Sequence, residues 1–521
     1  MEQSYSKNYI KIYFWRIISL VSGFLSLFIV VPHLSDDVEL YGIYAFCISF
    51  TMYLTYADIG FLGAGQKYAA EAFARGNRKE EVDMLGFTGA ILLFMIAPFS
   101  LTMIYFSYNP EILINSLSTD GKKIASSIFL ILGIALPIQI ILQRLVQSIL
   151  VIRIKEYISM KIDVIFNLIK IASVFYFFSE GNYMIVQYYL FITVATIISS
   201  IIILFIIQKS ESYNFIDLLK AIKLSKKQYN ITKKLAYSSL FLTVGWLIYY
   251  ELDLIIIGKW FGSNEVALYA IGFTFLNFLR TLWNSVFSPF AQRFNHLIGT
   301  KSQQELKKLI KTIIDYTFPL CVIITVTLVV ISKQLVLFWV GDEYLDSILV
   351  LKVLIIGTVF GFITNPAGYY FSANTKYKYM YLSAILLPVA FLVSLFILAP
   401  NYGVLGISIS KSFAMFVGFI ISVIGLLEIY NSIIIIKKWF INLAIISISI
   451  IYFLPLFLNF IFNNLKKSTP NLIILFFIAG TIIVISYVLI LLTKEKQRKE
   501  LKFMLITLKD KLPLKRKSTN Y

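Results

Sequence analysis

Apolar segments long enough to cross a bilayer recur along almost the whole chain. Hydrophobic residues make up 59% of the 521 residues and charged residues 14%, whereas soluble chains carry roughly 25% charged residues. The pattern predicts an all-α polytopic membrane protein. Because a helix needs about 20 apolar residues to span the hydrocarbon core, we place about fourteen spans in the chain. They lie near residues 9–31, 41–63, 85–107, 124–148, 158–178, 184–207, 237–259, 266–290, 312–332, 348–371, 379–398, 404–427, 439–461 and 471–493.

Lysine and arginine are several times more frequent in the loops after even-numbered spans than in those after odd-numbered spans. The loop after span 13 carries Lys466 and Lys467, whereas the loop after span 6 carries seven lysines, Lys209, Lys220, Lys223, Lys226, Lys227, Lys233 and Lys234. Because positively charged loops stay in the cytoplasm, the bias predicts that both termini are cytoplasmic. The formal net charge of +19 is then topogenic, and no nucleic-acid partner is expected.

Two stretches of the chain resemble each other. Ser35–Phe50 and Ser263–Phe278 align without a gap, and Ser, Val, Leu, Tyr, Ile and Phe recur at equivalent positions. A repeated membrane unit is typical of transporters, although chance similarity between apolar segments is an alternative. Six spans per copy would return the chain to its starting side, as a parallel repeat requires. We therefore predict an N-lobe at 1–208, a cytoplasmic amphipathic connector at 209–236, a C-lobe at 237–428, two further spans at 429–493 and a basic cytoplasmic tail at 494–521.

Ionisable residues inside the spans are the candidate functional residues, because each costs about 2.5–3.5 kcal/mol on insertion scales and so usually faces a cavity or a partner. The cations are Arg16, Arg144, Lys170, Arg280 and Lys411. The acids are Asp58, Glu251 and Asp253, which are candidates for lining a cavity or for ion coupling. An excess of cations at the deeper positions favours an anionic cargo, since arginine binds phosphate oxygens with two hydrogen bonds.

Each of these residues also has a structural interpretation. Lys170, Lys411 and Arg144 can extend to a lipid headgroup, and Arg16 can be topogenic. Arg280, near the middle of span 8, can form an ion pair with Asp253 or Glu251, and Asp58 can be a pairing acid. The aromatic residues nearby suit either the stacking of sugar rings or ordinary packing: Trp246, Tyr249, Tyr250 and Trp283.

Catalysis and metal binding have little support in the sequence. No loop between spans is long enough to carry a catalytic domain, so an enzyme such as a membrane glycosyltransferase or polymerase is not expected. Cys47 and Cys321 lie inside apolar segments, and His33 and His296 lie far apart. Neither pair has the spacing of a disulfide framework or a metal site.

Four short motifs resemble those of a known family. They are Glu251–Gly258 (ELDLIIIG) in span 7, Asp58-Ile59-Gly60 in span 2, Phe338–Gly341 (FWVG) after span 9 and Tyr402–Gly406 (YGVLG) before span 12. Their order and spacing resemble those of the Wzx-type flippases, which export the repeat units of O-antigen and capsule. The resemblance covers about residues 8–428.

The resemblance implies a MATE-like fold, with two six-helix lobes around a central cavity lined by helices 1, 2, 7 and 8. Arg16, Asp58, Asp253 and Arg280 would then line it. The implied cargo is an undecaprenyl-pyrophosphate-linked oligosaccharide, moved from the inner to the outer leaflet of the bacterial cytoplasmic membrane. Membrane lipids and a polysaccharide polymerase with its chain-length machinery are the implied partners. No cofactor is expected, and H⁺ or Na⁺ are the candidate coupling ions.

Two alternatives share this fold. Lipid II flippases also have a cationic cavity, so the sequence separates them poorly from the Wzx type. Cation-coupled multidrug exporters commonly carry an aspartate on the first helix. Here the buried charge on that helix is Arg16, which counts against drug export.

Overall fold

A computed structural model of the chain describes residues 2–55, 60–179, 183–211, 213–299, 303–374, 377–427, 437–462 and 466–493. Within these ranges the regular structure is helical and contains no strand, which confirms the all-α polytopic fold. The α-helices are α1 (Glu2–Leu34), α2 (Val38–Thr55), α3 (Phe61–Ala74), α4 (Arg78–Tyr108), α5 (Thr119–Ile152), α6 (Tyr157–Phe177), α7 (Ile185–Glu211), α8 (Phe215–Ala221), α9 (Lys226–Tyr250), α10 (Asp253–Trp260), α11 (Ser263–Gly299), α12 (Gln303–Trp339), α13 (Ser347–Gly357), α14 (Gly361–Ala373), α15 (Tyr377–Leu427), α16 (Lys437–Ile461) and α17 (Thr469–Leu492).

Ten of the described helices are long and apolar enough to cross a membrane, or eleven if α9 and α10 form one broken span. The predicted spans all fall on helical segments, as they must where lipid cannot satisfy backbone polar groups. Span 2 falls on α2 and the start of α3, with residues 56–59 outside the described ranges, and span 10 falls on α13 and α14. Helix α6 corresponds to span 5 and carries Lys161, Asp163 and Lys170 in its 21 residues.

Helix α15 contains two spans. Its 51 residues would reach about 77 Å if straight, more than twice the roughly 30 Å thickness of the hydrocarbon core. At Gly403 the backbone leaves helical geometry, with φ 55° and ψ −135°. A Cβ atom built on Gly406 would lie 2.5 Å from the carbonyl oxygen of Leu398, and one on Gly418 would lie 3.3 Å from a methyl carbon of Leu387. These contacts describe an antiparallel hairpin, which corresponds to predicted spans 11 and 12.

The loops gather in two sets at opposite ends of the spans. At one end, Tyr344 after span 9 donates a hydrogen bond to the carbonyl oxygen of Ser35 after span 1, at 3.1 Å. At the other end, Arg153 after span 4 lies 2.7 Å from Glu81, which precedes span 3. Loops after odd-numbered spans thus meet one another, and loops after even-numbered spans do the same. This is the alternation that the charge bias assumes; the cytoplasmic location of the even set stays a prediction.

The two repeated stretches are neighbours across the interface between the lobes, because the N-terminal halves of α2 and α11 pack against each other. A Cβ atom on Gly42 would lie 1.9 Å from the carbonyl oxygen of Ser263, so a glycine is required for this close approach. Towards the other end of the spans, α3 meets α9, where the rings of Phe61 and Tyr229 stack at 6.0 Å. These contacts place span 2 against spans 7 and 8, where the interface between the two predicted lobes is expected.

The last two helices pack against α12. Phe476 of α17 also contacts α1, with its ring centroid 4.5 Å from that of Phe28. The helices outside the repeat therefore touch both lobes.

The predicted connector contains a short helix that packs on the N-terminal half of the chain. Its helix α8 has seven residues and packs on α4. Leu218 is fully buried there, whereas Ile216 and Leu219 are exposed. Helix α9 already begins at Lys226, within the predicted connector. The predicted basic tail, residues 494–521, lies outside the described residues.

Candidate functional site

Span 7, the first span of the predicted C-lobe, is broken. Helix α9 ends at Tyr250, α10 begins at Asp253, and the two helices meet at 41°. Glu251 occupies the C-terminal cap of α9. Broken helices in transporters place free backbone groups and ionisable side chains at binding sites.

A buried ion pair links the break to α15. The ammonium group of Lys411, on α15, pairs with the carboxylate of Asp253, and both side chains are fully buried. Lys411 also donates to the carbonyl oxygen of Tyr250 at 2.7 Å, and Tyr269 donates to the carboxylate of Asp253. Lys411 does not reach a headgroup, and its charge is already matched. We call Lys411 and Asp253 the inner pair.

A second ion pair lies beside the first. A guanidinium nitrogen of Arg280, on α11, donates to Glu251 at 3.3 Å. The Glu251 side chain is 2% exposed and that of Arg280 is 21% exposed. The guanidinium carbon lies 4.4 Å from the ring centroid of Tyr250 and 5.3 Å from that of Trp246, within the range of cation–π contacts. We call Arg280 and Glu251 the outer pair.

Arg280 of the outer pair lines a cavity of about 360 Å³. Its wall comes from α9, α11, α13, α14 and α15, so it lies within the C-lobe. Of the described residues that line it, Arg280 alone carries a charge. Aromatic residues and glycines form much of the remaining wall: Trp246, Tyr249, Tyr250, Trp283, Phe360, Phe371, Tyr379, Gly245, Gly357, Gly361, Gly368 and Gly418.

Two indole N–H groups of this wall lack a hydrogen-bond partner among the described residues. They belong to Trp246 and Trp283, and the Trp283 side chain is almost fully buried. The pyrrole edge of Trp283 faces Gly361, where a Cβ atom would lie 3.5 Å from Cδ1. Buried polar groups in native proteins usually have a partner. Both indole nitrogens are themselves buried, so Arg280 is the charged donor of the cavity wall among the described residues, which suits a ligand with acceptor oxygens.

The structure does not place the other predicted cations in this cavity. Arg16 lies 3.6 Å from Glu156 at the even-loop end, and both side chains are partly exposed. Lys170 donates to the hydroxyl of Thr196 at 2.5 Å within the N-lobe. Arg144 is half-buried on α5. Of the predicted acids, Glu251 and Asp253 lie at the break, and Asp58 lies outside the described residues.

Sequence reasoning missed a buried network at the even-loop end of the N-lobe. Glu81 is fully buried and binds Arg153 at 2.7 Å and Arg78 at 3.0 Å. Arg153 lies in the loop after span 4, where its sequence position fits an ordinary topogenic charge. Glu81 lies in the first turn of α4, after the N-cap Asn77. Acids are common at such positions, so the sequence gives no sign of its burial.

The cavity itself has a partial signal in the sequence. Gly357, Gly361 and Gly368 recur at spacings that place them on one face of a helix. Such a stripe indicates close packing or open space, and the aromatic residues of span 7 point to the same region. Within the described residues no cluster of histidine, cysteine and acidic side chains has the composition of a metal site.

The described residues form an all-helical membrane fold with a buried ionic site at a broken span. Residues 239–400 match the family model described as MatE, and this region includes much of the cavity wall. Sequence comparison with curated proteins gives no significant match.

Among solved structures, one described as the lipid II flippase MurJ in an inward closed conformation superposes with a TM-score of 0.66 at 16% identity. The match covers 93% of this chain and 98% of that chain. An inward-facing multidrug resistance MATE family transporter of the MOP superfamily has a TM-score of 0.65 at 13% identity, covering 78% and 94%. A MOP superfamily transporter from Pyrococcus furiosus, whose binding pocket is described as having reverse polarity, gives 0.56 at 13% identity, covering 82% and 96%.

The predicted MATE-like resemblance is thus confirmed by the fold and by residues 239–400. The proteins it matches are described as transporters and a flippase. The Wzx-type assignment stays a prediction.

Proposed function

We propose that the protein is a flippase that moves an undecaprenyl-pyrophosphate-linked oligosaccharide from the inner to the outer leaflet of the bacterial cytoplasmic membrane. The product would feed the synthesis of O-antigen, capsule or another surface polysaccharide. Alternating opening of the two lobes would carry the polar head through the hydrocarbon region while the polyprenyl tail stays in lipid.

One observation carries this proposal: Arg280, the charged residue of the wall among the described residues, lines a cavity that is rich in aromatic rings. A guanidinium suits phosphate oxygens, and aromatic rings suit the apolar faces of sugars. The cavity volume of about 360 Å³ lies within the range of small-ligand sites. The positive charge of Arg280 suits the phosphate of a sugar–phosphate head better than a cationic drug.

The comparisons support a lipid-linked cargo without specifying it. The structure that covers 93% of this chain is that of a protein described as a lipid II flippase, so a lipid II-type cargo is the nearest alternative. We expect both termini on the cytoplasmic side. The expected partners are membrane lipids and a polysaccharide polymerase with its chain-length machinery.

A cation-coupled drug exporter is the second candidate, favoured by one observation. Two acids, Glu251 and Asp253, lie at the broken span, where a cation could bind. In the described structure both carboxylates already face cationic partners. Altered drug resistance with normal surface glycan in a deletion strain would favour this function over the flippase.

Filling the cavity tests the flippase proposal. A Cβ atom on Gly368 meets no atom within 4 Å, so Gly368→Trp should place an indole in the cavity without disturbing packing. In a deletion strain that expresses this variant, leaflet-specific labelling should find the lipid-linked oligosaccharide retained in the inner leaflet. Gly480→Trp is the matched control, because Gly480 is exposed on α17 and also meets no atom within 4 Å. Normal outer-leaflet labelling with Gly368→Trp present in the membrane would contradict the proposal.

A further inference from the structure

The two ion pairs at the break of span 7 differ in what surrounds them. Both side chains of the inner pair are fully buried, and Lys411 also binds the carbonyl oxygen of Tyr250. In the outer pair, Arg280 lines the cavity and its side chain is 21% exposed to solvent. The inner pair therefore belongs to the framework, whereas the outer pair is within reach of a ligand.

The hydrogen bond of the outer pair is also long. Its nitrogen–oxygen distance of 3.3 Å exceeds the about 2.7–2.9 Å typical of charge-assisted hydrogen bonds. Glu251 is held on the residues that connect α9 to α10, and Arg280 is held on the continuous helix α11. Movement at the break would therefore separate the two side chains without unfolding either helix.

Glu251 presents to Arg280 the same chemistry that a phosphate would present, a pair of negatively charged oxygens. We propose that Glu251 is a resident counter-anion, which the phosphate head of the cargo displaces from Arg280, and that Glu251 takes up one proton when it is displaced. This inference rests on the proposed function and adds the regulation of its site.

The balance of charge requires the proton. In the empty site the carboxylate of Glu251 neutralises the guanidinium of Arg280. In the loaded site a phosphate oxygen neutralises Arg280, and the carboxylate, 2% exposed, has lost its partner. An unpaired buried carboxylate is strongly disfavoured and binds a proton instead. A proton from the medium forms the O–H bond of Glu251 as cargo binds, and the reverse exchange releases it.

The other groups around Glu251 do not replace Arg280 as its partner. Lys411 faces it from α15, but its ammonium group is held by Asp253 and by the carbonyl oxygen of Tyr250. The remaining titratable groups that face it are acids or phenols, which give it no positive charge: Tyr53 of α2, Tyr249 and Tyr250 of α9, Asp253 of α10 and Tyr269 of α11.

Calorimetry with a short cargo analogue tests the exchange. The probe is farnesyl pyrophosphate, added to the full-length protein in lipid nanodiscs. Titrations in buffers of different ionisation enthalpy count the protons taken up per ligand bound. The wild type should take up about one proton more than Glu251→Gln, because a buried carboxylate that loses its counter-charge is neutralised. Protonation of the pyrophosphate itself cancels in this difference.

Glu251→Gln should also bind the probe more tightly, about tenfold if a tenth of the wild-type sites have the outer pair open, since apparent affinity scales with the competent fraction. Glu305→Gln, an exposed acid on α12, is the matched control and should behave as the wild type. Arg280→Gln should lose binding. An infrared difference spectrum of the wild type needs no variant, and on binding it should show the carbonyl band of a newly protonated carboxyl group.

The outcomes separate the two proposals. Binding that depends on Arg280, with equal proton uptake in the wild type and Glu251→Gln and no new carboxyl band, would overturn the exchange and leave the flippase proposal standing. Absence of probe binding in the wild type and in Glu251→Gln would overturn both.

Discussion

Replacing Lys411 by methionine should destabilise the protein more than any other single change at the broken span. The substitution keeps the length of the side chain but leaves the carboxylate of Asp253 without its cation. Both side chains are fully buried, so water cannot screen the loss. Breaking a buried pair by removing one partner costs about 3–5 kcal/mol. The free carbonyl oxygen of Tyr250, which loses a donor at 2.7 Å, is part of that loss.

The double variant Lys411→Met/Asp253→Asn isolates the ionic contribution. Asparagine retains an acceptor oxygen for the hydroxyl of Tyr269, which donates to Asp253 in the structure. The double variant should therefore lose less stability than the sum of the two single variants, with a coupling energy of about 2–3 kcal/mol. Neither remaining side chain would then be a buried, unpaired charge.

The measurement is the free energy of unfolding in mixed micelles with increasing SDS, followed by circular dichroism. Lys378→Met is the control, because Lys378 lies exposed near the start of the same helix and should change stability by less than about 0.5 kcal/mol. A loss below about 1 kcal/mol for Lys411→Met, or simple additivity in the double variant, would refute the reasoning.

Three further predictions concern other parts of the molecule. Gly42→Ala should destabilise the lobe interface by about 1–3 kcal/mol, measured by the same unfolding assay, because its Cβ would lie 1.9 Å from a carbonyl oxygen of α11; Gly23→Ala, with nothing within 4 Å, should not. Glu81→Gln should lower the free energy of unfolding by about 3–5 kcal/mol, because buried Arg153 loses its charged partner. Glu80→Gln, at a partly exposed ion pair, should lower it by under about 1 kcal/mol. Trp283→Phe should keep the ring and remove the unpaired N–H, weakening farnesyl pyrophosphate binding by about 0.5–1.5 kcal/mol without altering stability; unchanged affinity would show that this N–H does not contact the ligand.

The spans could be predicted because their cause is local. A helix that crosses lipid must carry its own run of apolar side chains, so about 20 consecutive residues are enough to locate it. The turn inside α15 is equally local, since Pro400 and Gly403 lie between two such runs and the backbone reverses at Gly403. Because each span carries the chain to the other side of the membrane, the alternation of the loops between the two ends follows once every span is counted.

The site could be predicted only in part, because its ion pairs join residues that are far apart in the sequence. The sequence indicates that Arg280 needs a partner and offers Glu251 or Asp253, and the structure selects Glu251. It does not indicate that Lys411, far along the chain, takes Asp253. That choice depends on how the hairpin of α15 packs against α9. The connector shows the same limit, since its sequence does not indicate that Leu218 is buried while Ile216 and Leu219 of the same helix are exposed.

If the predicted repeat holds, the ion pairs distinguish its two copies. When the gap-free alignment of the repeated stretches is extended, Glu251 and Asp253 fall opposite Gly23 and Leu25, and Arg280 falls opposite Met52. Helix α1 continues unbroken through Gly23 and Leu25, whereas the equivalent span 7 breaks.

The cause of the break lies in the charges rather than in a helix breaker. Sharp bends in helices usually occur at proline or glycine, or where another side chain inserts into the hydrogen-bond ladder. Residues 246–257 contain neither proline nor glycine, yet the two helices meet at 41°. Lys411 supplies the insertion, since its ammonium group binds the carbonyl oxygen of Tyr250 at the last residue of α9. The ionisable groups of the C-lobe thus create the broken helix on which they sit, and the N-lobe, which lacks them at the equivalent positions, keeps a continuous one.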